Sequence, residues 1–243
     1  MIWESASCSD PGLVRHNNED ATLVLGDLGL FAVADGMGGH AAGEVASRLA
    51  IDTLVATVLG AGGAVDAGRL ASAFERANHA ILARTAHDPA TRGMGTTLSV
   101  LAVNGTGDHA LVAHIGDSRL YRWRDGRLDQ LTRDHTWVQE HLDAGVLTPD
   151  QARNHPFASV LTRVLGTTAT AEPDIGRIAI EPGDVYLLCT DGLTGMLEAE
   201  AITAILSSDL TLEDKATALI DAANRNGGGD NVSVVLATLR REA

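Results

Sequence analysis

Apolar residues follow two kinds of spacing along the chain, and these predict strands and helices in pairs. β-branched runs at 19–25 and 30–34 are joined by the turn GDLG, which is short enough for an antiparallel hairpin. Apolar residues then recur at steps of three and four over 45–59 and again over 70–81, which predicts two helices. The Gly-rich connector GAGGAVDAG separates these helices.

Strand-like segments return in the middle of the chain. TTLSVLAV, HALVAHIG, SRLYRW and RLDQLT are separated by the turn signals NGTGD, GD and RDG, which favours a meander of consecutively paired strands. Residues 136–155 become helical and polar, with Thr148 and Pro149 at capping and first-turn positions. DIGRIAI and VYLLCT, separated by EPGD, predict another pair of strands. Helices at about 198–207 and 212–225 lead into a last strand, NVSVVLATL.

The order of these elements indicates the fold class. Helices are adjacent to helices and strands to strands, so the strand–helix–strand rhythm of a parallel sheet is missing. The packing that satisfies this order is α+β, with antiparallel sheets covered by helices. Because no internal repeat, low-complexity tract or linker interrupts residues 1–243, we expect one domain.

Charge and cysteine usage narrow the possible partners and location. Lys and Arg total 18 against 32 Asp and Glu, a net charge of -14, which argues against nucleic acid or a membrane surface as partner. The two cysteines are far apart, and Cys189 lies in the apolar run VYLLC, so we expect a reduced, buried thiol. The polar N-terminus and the absence of an apolar run of about 18 residues favour a cytoplasmic protein.

The stretch LFAVADGMGGHAAGE, residues 30–44, formally contains the dinucleotide fingerprint G-x-G-x-x-G/A. A NAD-dependent oxidoreductase is therefore one alternative. Its site needs a strand with an acidic residue roughly 20 positions further on, and that position lies inside the first predicted helix. Asp35 would also repel a pyrophosphate unless a cation intervened.

Further acidic residues stand beside glycines at predicted strand ends. Asp117 follows the strand HALVAHI, Asp191 follows VYLLCT, Asp230 precedes NVSVV, and Glu19 begins the first hairpin. Burying several uncompensated carboxylates costs several kcal/mol per charge, so a cation should neutralise them. Oxygen-only ligands select Mg²⁺ or Mn²⁺ over zinc.

Such a site predicts hydrolysis without a nucleophilic side chain. Two ions roughly 3.5–4 Å apart, bridged by one carboxylate, lower the pKa of a shared water and produce hydroxide near neutral pH. No G-x-S-x-G elbow occurs, and neither cysteine has a basic neighbour in sequence. Arg15, close to Glu19, is suited to hold a phosphate through two hydrogen bonds.

Seven motifs along the chain now resemble one family. They occur in order from residue 15 to 235: RHNNEDA, VADGMGGHAAGE, GMGTTL, HIGDSRLY, LTRDHT, LLCTDGL and GGGDNVSVV. They resemble the metal-dependent serine/threonine protein phosphatases of type 2C, the PPM family, in its compact bacterial branch. The resemblance implies a four-layer α-β-β-α sandwich with two mainly antiparallel sheets flanked by antiparallel helix pairs. It also implies hydrolysis of phosphoserine and phosphothreonine by a metal-bridging water or hydroxide.

The resemblance implies two ions, Mn²⁺ or Mg²⁺, and assigns their ligands. Asp35 would bridge both ions, and the Gly36 carbonyl would coordinate one of them. Asp191 and Asp230 would complete the shell of the other ion, while Glu19 would act mainly through bound water.

Three further assignments concern the substrate and a third ion. Arg15 would bind the substrate phosphate, and His40 would be the general acid for the leaving oxygen. Asp117 would help to hold a third, weaker ion. Relatives often carry an aspartate four positions after Asp191, where this chain has Gly195; Glu198 could compensate.

The resemblance also implies partners. Residues 134–165 correspond to a variable flap beside the cleft. The substrates would be phosphoproteins, with a cognate Ser/Thr kinase and forkhead-associated domain proteins as candidate partners, and we expect a monomer. An inactive scaffold of the same fold is the remaining alternative, and it would be expected to have lost Asp35, Asp191 or Asp230.

Overall fold

The computed structural model describes residues 2–38, 42–60, 65–103, 108–153 and 155–240 of the 243-residue chain. The strands are β1 (Ile2–Asp10), β2 (Asp20–Leu25), β3 (Leu30–Met37), β4 (Gly95–Thr96), β5 (Leu98–Val103), β6 (His109–Ile115), β7 (Arg119–Arg124), β8 (Arg127–Gln130), β9 (Asp174–Ala179), β10 (Val185–Cys189) and β11 (Val232–Arg240). The helices are α1 (Ala42–Gly60), α2 (Ala67–His87), α3 (Trp137–Asp143), α4 (Pro149–Arg153), α5 (Asp191–Thr194), α6 (Ala199–Leu206) and α7 (Leu212–Arg225).

The strands form two antiparallel sheets. The first has the order β1-β11-β10-β7-β8, and the second has the order β2-β3-β5-β6-β9, with β4 paired to the end of β3. Phe31 and Leu101 of the second sheet share an apolar cluster with Tyr186, Leu188 and Val235 of the first, so the sheets pack face to face.

Helices cover the outer faces of both sheets. Apolar residues of α1 and α2, such as Leu54 and Phe74, form a core with the second sheet. Those of α6 and α7, such as Leu206 and Leu219, form another with the first sheet. The four-layer α-β-β-α prediction is confirmed, because each sheet buries one face against the other sheet and one against helices.

The predicted meander is wrong. β5 pairs with β6 in the second sheet, but β7 pairs with β8 in the first, so the turn after β6 carries the chain between sheets. Gly116 begins this crossing with φ of 108°, a conformation that favours glycine. A Cβ on Gly116 would also lie 2.5 Å from the Thr97 side chain.

The predicted pairing of β9 with β10 is also wrong. β9 pairs with β6, whereas β10 lies between β7 and β11 in the other sheet. The intervening EPGD segment crosses between sheets, where the carboxylate of Asp184 accepts two hydrogen bonds from Arg124 on β7. A tight turn in sequence therefore does not distinguish a hairpin from a change of sheet.

Other boundaries differ in smaller ways. β1 is a strand that the sequence reasoning missed, and residues 136–155 contain two short helices, α3 and α4. The two helix pairs and the first hairpin are confirmed. Cys189 is buried and both cysteines are free. Among the helices in the described part of the chain, none combines the length and apolarity that crossing a bilayer requires.

Candidate metal centre

A pocket of about 510 Å³ lies where β2, β3, β10 and β11 approach one another. Seven residues singled out from the sequence line it together: Arg15, Glu19, Asp35, Gly36, Asp117, Asp191 and Asp230. They come from segments up to 215 positions apart in the chain. The eighth, His40, lies outside the described residues.

The backbone of Asp35 is held firmly at the floor of this pocket. Asp35 lies within β3, not in a turn after it. Its N–H donates to Oγ1 of Thr97 at 2.9 Å, and its carbonyl accepts from the Thr97 N–H at 2.9 Å and from Thr96 Oγ1 at 2.8 Å. Because all backbone groups are satisfied within the sheet, the carboxylate has a fixed origin from which to reach into the pocket.

Gly36 and Gly43 allow three segments to meet beside Asp35. A Cβ on Gly36 would lie 2.1 Å from the Gly43 carbonyl oxygen and 2.5 Å from that of Glu19. A Cβ on Gly43 would lie 2.6 Å from the Glu19 side chain. Any larger residue would therefore push the Glu19 segment away from β3.

Asp191 and Asp230 reach the pocket from the first sheet, Asp191 shortly after β10 and Asp230 shortly before β11. Asp191 is the first residue of α5, and its charge is one of those that raise the pKa of Asp35. Asp230 accepts a hydrogen bond from Arg15 Nη2 at 2.8 Å. Arg15 and Asp230 are both partly exposed, so this pair faces the opening of the pocket. The predicted phosphate-binding arginine is thus next to a predicted metal ligand.

The carboxylates of the pocket destabilise one another's charged forms. Burial raises the pKa of Asp35 well above its usual range, and the charges of Asp20, Asp191, Asp117 and Asp230 add to this. Burial, together with Asp191, raises the pKa of Asp117 to about 7. Burial is also the main cause of the raised pKa of Asp191. A divalent cation would relieve this repulsion.

The donor set fits hard cations. Carboxylate oxygens dominate it, and the Gly36 carbonyl lies beside them, which suits Mg²⁺ or Mn²⁺. In the described part of the chain, no three His, Cys, Asp or Glu side chains are already arranged as ligands of one ion. The carboxylates therefore line one pocket together without being arranged around a single ion.

Two residues to which the sequence motifs assigned no role support the site: Asp20, named only as a neighbour of Glu19, and Asn231. Asp20 pairs with Asp35 across β2 and β3 and is 8% exposed, and its Oδ1 has no hydrogen-bond partner among the described residues. Burial raises its pKa to about 7. Asn231 accepts from the Glu19 N–H at 2.8 Å and donates to the carbonyls of Pro11 and Asn17. The position of Asn231 directly after Asp230 in the sequence was the one feature that could have pointed to it.

His135, whose ring centroid lies 4.8 Å from that of His114, fixes the segment next to Asp117. The backbone N–H of His135 donates to the Gly116 carbonyl at 2.7 Å. The ring Nδ1 of His135 accepts from the backbone N–H of Gly116 at 3.1 Å. Its Nε2 therefore carries the proton and lies 3.1 Å from Asp174, which also accepts from Arg163. One carboxylate thus holds both ends of residues 134–165.

The buried partner of this pair, His114, predicts a pH dependence of stability. Burial lowers the pKa of His114 to about 3, and the charge of His135 adds to this. The folded protein keeps His114 neutral, whereas the unfolded chain takes up its proton below about pH 6.5. Its contribution to stability is therefore complete above pH 6.5 and lost as the pH falls.

We expect His114→Gln to flatten the fall in unfolding free energy between pH 6 and 5 by about 1.4 kcal/mol per pH unit. Urea denaturation at pH 7, 6 and 5 measures this slope, and the exposed His87→Gln is the matched control. Contributions of other groups cancel between the variants. Equal slopes for wild type and His114→Gln would contradict the assignment.

Comparison with known proteins finds similar chains that are protein phosphatases. The chain is 44% identical to the serine/threonine protein phosphatase PstP of Mycobacterium tuberculosis over 237 residues, which cover 98% of this chain but only 45% of that protein. It is 40% identical to the protein phosphatase PhpP of Streptococcus pneumoniae over 245 residues, 98% of each chain.

Solved structures agree with this likeness. A crystal structure of M. tuberculosis PstP matches with a TM-score of 0.91 and 41% identity, covering 99% of this chain and 100% of that one. A second PstP catalytic-domain structure, in complex with two manganese ions, matches with a TM-score of 0.88 over 98% of each chain.

The fold and pocket define an α-β-β-α protein with an acidic, oxygen-lined site. The sequence profile described as Protein phosphatase 2C matches residues 14–227. This chain therefore belongs to the protein phosphatase 2C family, and the dinucleotide alternative is set aside.

Proposed function

We propose that this protein is a metal-dependent serine/threonine phosphatase that hydrolyses phosphoserine and phosphothreonine in proteins. The observation that carries the proposal is the meeting of Arg15 with four aspartate and glutamate residues in one pocket, under a fold of the protein phosphatase 2C family: Glu19, Asp35, Asp191 and Asp230. An arginine beside clustered carboxylates joins a phosphate-binding group to a cation site.

Asp35, Asp191, Asp230 and the Gly36 carbonyl would hold Mn²⁺ or Mg²⁺, with Glu19 acting through water. When bound, two such ions polarise a phosphoryl oxygen and lower the pKa of water so that it attacks phosphorus at neutral pH. Asp35 would have the central position, because the charges of Asp191, Asp117 and Asp230 all act on its carboxylate. The PstP catalytic-domain structure in complex with two manganese ions supports two metal ions.

Arg15 would orient the phosphate. Its hydrogen bond to Asp230 occupies one Nη2 donor, and a guanidinium offers five N–H donors in all. Among the described residues these other donors have no hydrogen-bond partner, and they would bind a phosphate oxygen pair at the pocket opening. Asp230 would then fix the direction of the guanidinium while the phosphate binds.

The remaining roles rest on the sequence motifs. His40 would protonate the leaving serine or threonine oxygen. Asp117 would help to hold a third ion, although Gly195 offers no side chain and the Glu198 side chain is 72% exposed. The pocket therefore supports two ions more strongly than three.

The wider biological role is also a proposal. Phosphoproteins are the substrates, and a cognate Ser/Thr kinase and forkhead-associated domain proteins are the partners we propose. We also propose one catalytic domain with residues 134–165 as its flap. A cytoplasmic location is supported by two free cysteines, one of them buried.

The direct test is phosphate release from synthetic peptides. With purified protein in manganese, we expect release from phosphothreonine and phosphoserine peptides. A phosphotyrosine peptide of the same sequence serves as the control and should be hydrolysed more slowly. If neither the phosphothreonine nor the phosphoserine peptide released phosphate, the proposed function would be refuted and the inactive scaffold would be favoured.

A further inference from the structure

A second cavity of about 510 Å³ adjoins the metal centre. We call it the side pocket. Asp117, Ser159 and Asp191 line both cavities, so the two spaces share a wall. Its other walls come from α3, α4 and the start of α6, which makes it a cleft between residues 134–165 and the body of the protein. The proposed chemistry uses only the first cavity.

The charged groups of the side pocket are largely paired with one another. Arg119 donates to both carboxylate oxygens of Asp134, at 3.0 Å to Oδ1 and 2.8 Å to Oδ2, and to the Tyr121 hydroxyl at 2.9 Å. At the rim, Arg153 lies 3.9 Å from Glu198. These pairs offset two of the four carboxylates of the side pocket. The other two, Asp117 and Asp191, lie on the wall shared with the metal centre, where the proposed cations would neutralise them, so little net charge would remain to attract a charged ligand.

Apolar side chains form one part of the remaining lining, and Thr136, Gln139 and Thr194 form the other. Val138 and Leu142 project from α3, and Ala152 and Ala158 come from α4 and the loop after it. Small residues at 152, 158 and 195 leave the space open. An aliphatic group entering this space would bury apolar surface against apolar surface, which is favourable.

The outer wall is held in place by an aromatic stack. The Trp137 indole lies between two imidazoles, with ring centroids 3.6 Å from His141 and 4.8 Å from His155, and Phe157 packs on its edge at 5.3 Å. This stack ties α3 to the 155–157 segment. The side pocket is therefore largely formed before any ligand enters.

We infer that the side pocket binds an aliphatic side chain of the phosphoprotein substrate, within three residues of the phosphorylated residue. An extended peptide advances about 3.3 Å per residue, so a near neighbour of the phosphoresidue reaches a cavity that shares a wall with the metal centre. The inference rests on the proposed function. It makes Val138, Leu142 and Ala158 specificity-determining residues.

A peptide scan tests the inference. Phosphothreonine peptides of otherwise Gly and Ser sequence carry one Leu, Ala, Lys or Glu at each of three positions on either side. With the manganese-loaded enzyme, we expect Leu at one of these positions to raise kcat/KM about tenfold over Ala, whereas Lys and Glu do not. Ala158→Leu, which fills the cavity, should reduce this preference to about onefold.

Two further variants complete the test. Leu142→Gln makes the lining polar without filling it and should also abolish the preference, which covers the case that Ala158→Leu misfolds. Ala201→Leu, an exposed change on α6, is the matched control and should keep it. Hydrolysis without preference for Leu, a preference for Lys or Glu, or retention in both pocket variants would overturn the inference alone. No hydrolysis of any peptide would overturn the proposed function as well.

Discussion

Asp35→Asn is expected to lower kcat/KM for phosphothreonine peptides by about 10³-fold. The amide keeps the size of the side chain but removes the charge that the proposal places between two cations. Losing about 4 kcal/mol of transition-state stabilisation corresponds to this factor, because each 1.36 kcal/mol is tenfold. Steady-state kinetics in saturating manganese measures the loss.

The same substitution should not destabilise the metal-free fold. Burial and four neighbouring carboxylates disfavour the Asp35 charge, so the neutral amide is expected to maintain or raise Tm in EDTA. Asp52→Asn, an equal charge change at an exposed position on α1, is the control and should leave kcat/KM unchanged. Activity of Asp35→Asn within tenfold of wild type would contradict the assigned role.

Removal of divalent metal is expected to reduce phosphate release to the uncatalysed rate, with recovery on adding manganese. Without cations, the pocket carboxylates repel one another and no group among the described residues replaces the metal in activating water. Phosphate release is followed after dialysis against EDTA and again after manganese is restored. EDTA already saturated with manganese is the control, since it cannot strip the protein.

Metal should also stabilise the fold. A ligand that binds only the native state at 100 times its Kd adds about 2.7 kcal/mol to the unfolding free energy. Thermal unfolding with and without manganese should therefore show a higher Tm in the metal. Full activity after complete metal removal, verified by elemental analysis, would contradict the mechanism.

Patterns among neighbouring residues were enough to predict much of the fold. The spacing of Leu70, Phe74, Ala77 and Ile81 predicted α2 because all four side chains are buried against the second sheet. The first hairpin followed from its short turn. These elements satisfy their own hydrogen bonds or pair with a direct neighbour, so nearby residues suffice to predict them.

The rest of the fold depends on contacts between residues that are far apart in the sequence. Whether Gly116 and the EPGD segment turn within a sheet or cross between sheets depends on pairing with strands distant in the sequence, and no local pattern encodes this. β1 pairs with β11 at the other end of the chain. Its short alternation of apolar and polar residues was therefore not enough to predict a strand. Asn231 matters through the backbone of Glu19, 212 positions away.

The candidate site was more predictable than the path of the chain. Aspartates beside glycines at strand ends marked Asp35, Asp191 and Asp230, and the structure places all three in one pocket. The ion pair between Arg15 and Asp230 could not be predicted, because it depends on side-chain positions. The side pocket escaped sequence reasoning for the same reason.

The central claim is that Asp35, Asp191 and Asp230 together hold two hard cations beside Arg15. Anomalous diffraction from crystals grown in manganese tests it most directly. The account predicts two manganese peaks in this pocket, with the Asp35 carboxylate bound to both. A pocket without manganese, or ions bound away from these three aspartates, would contradict it.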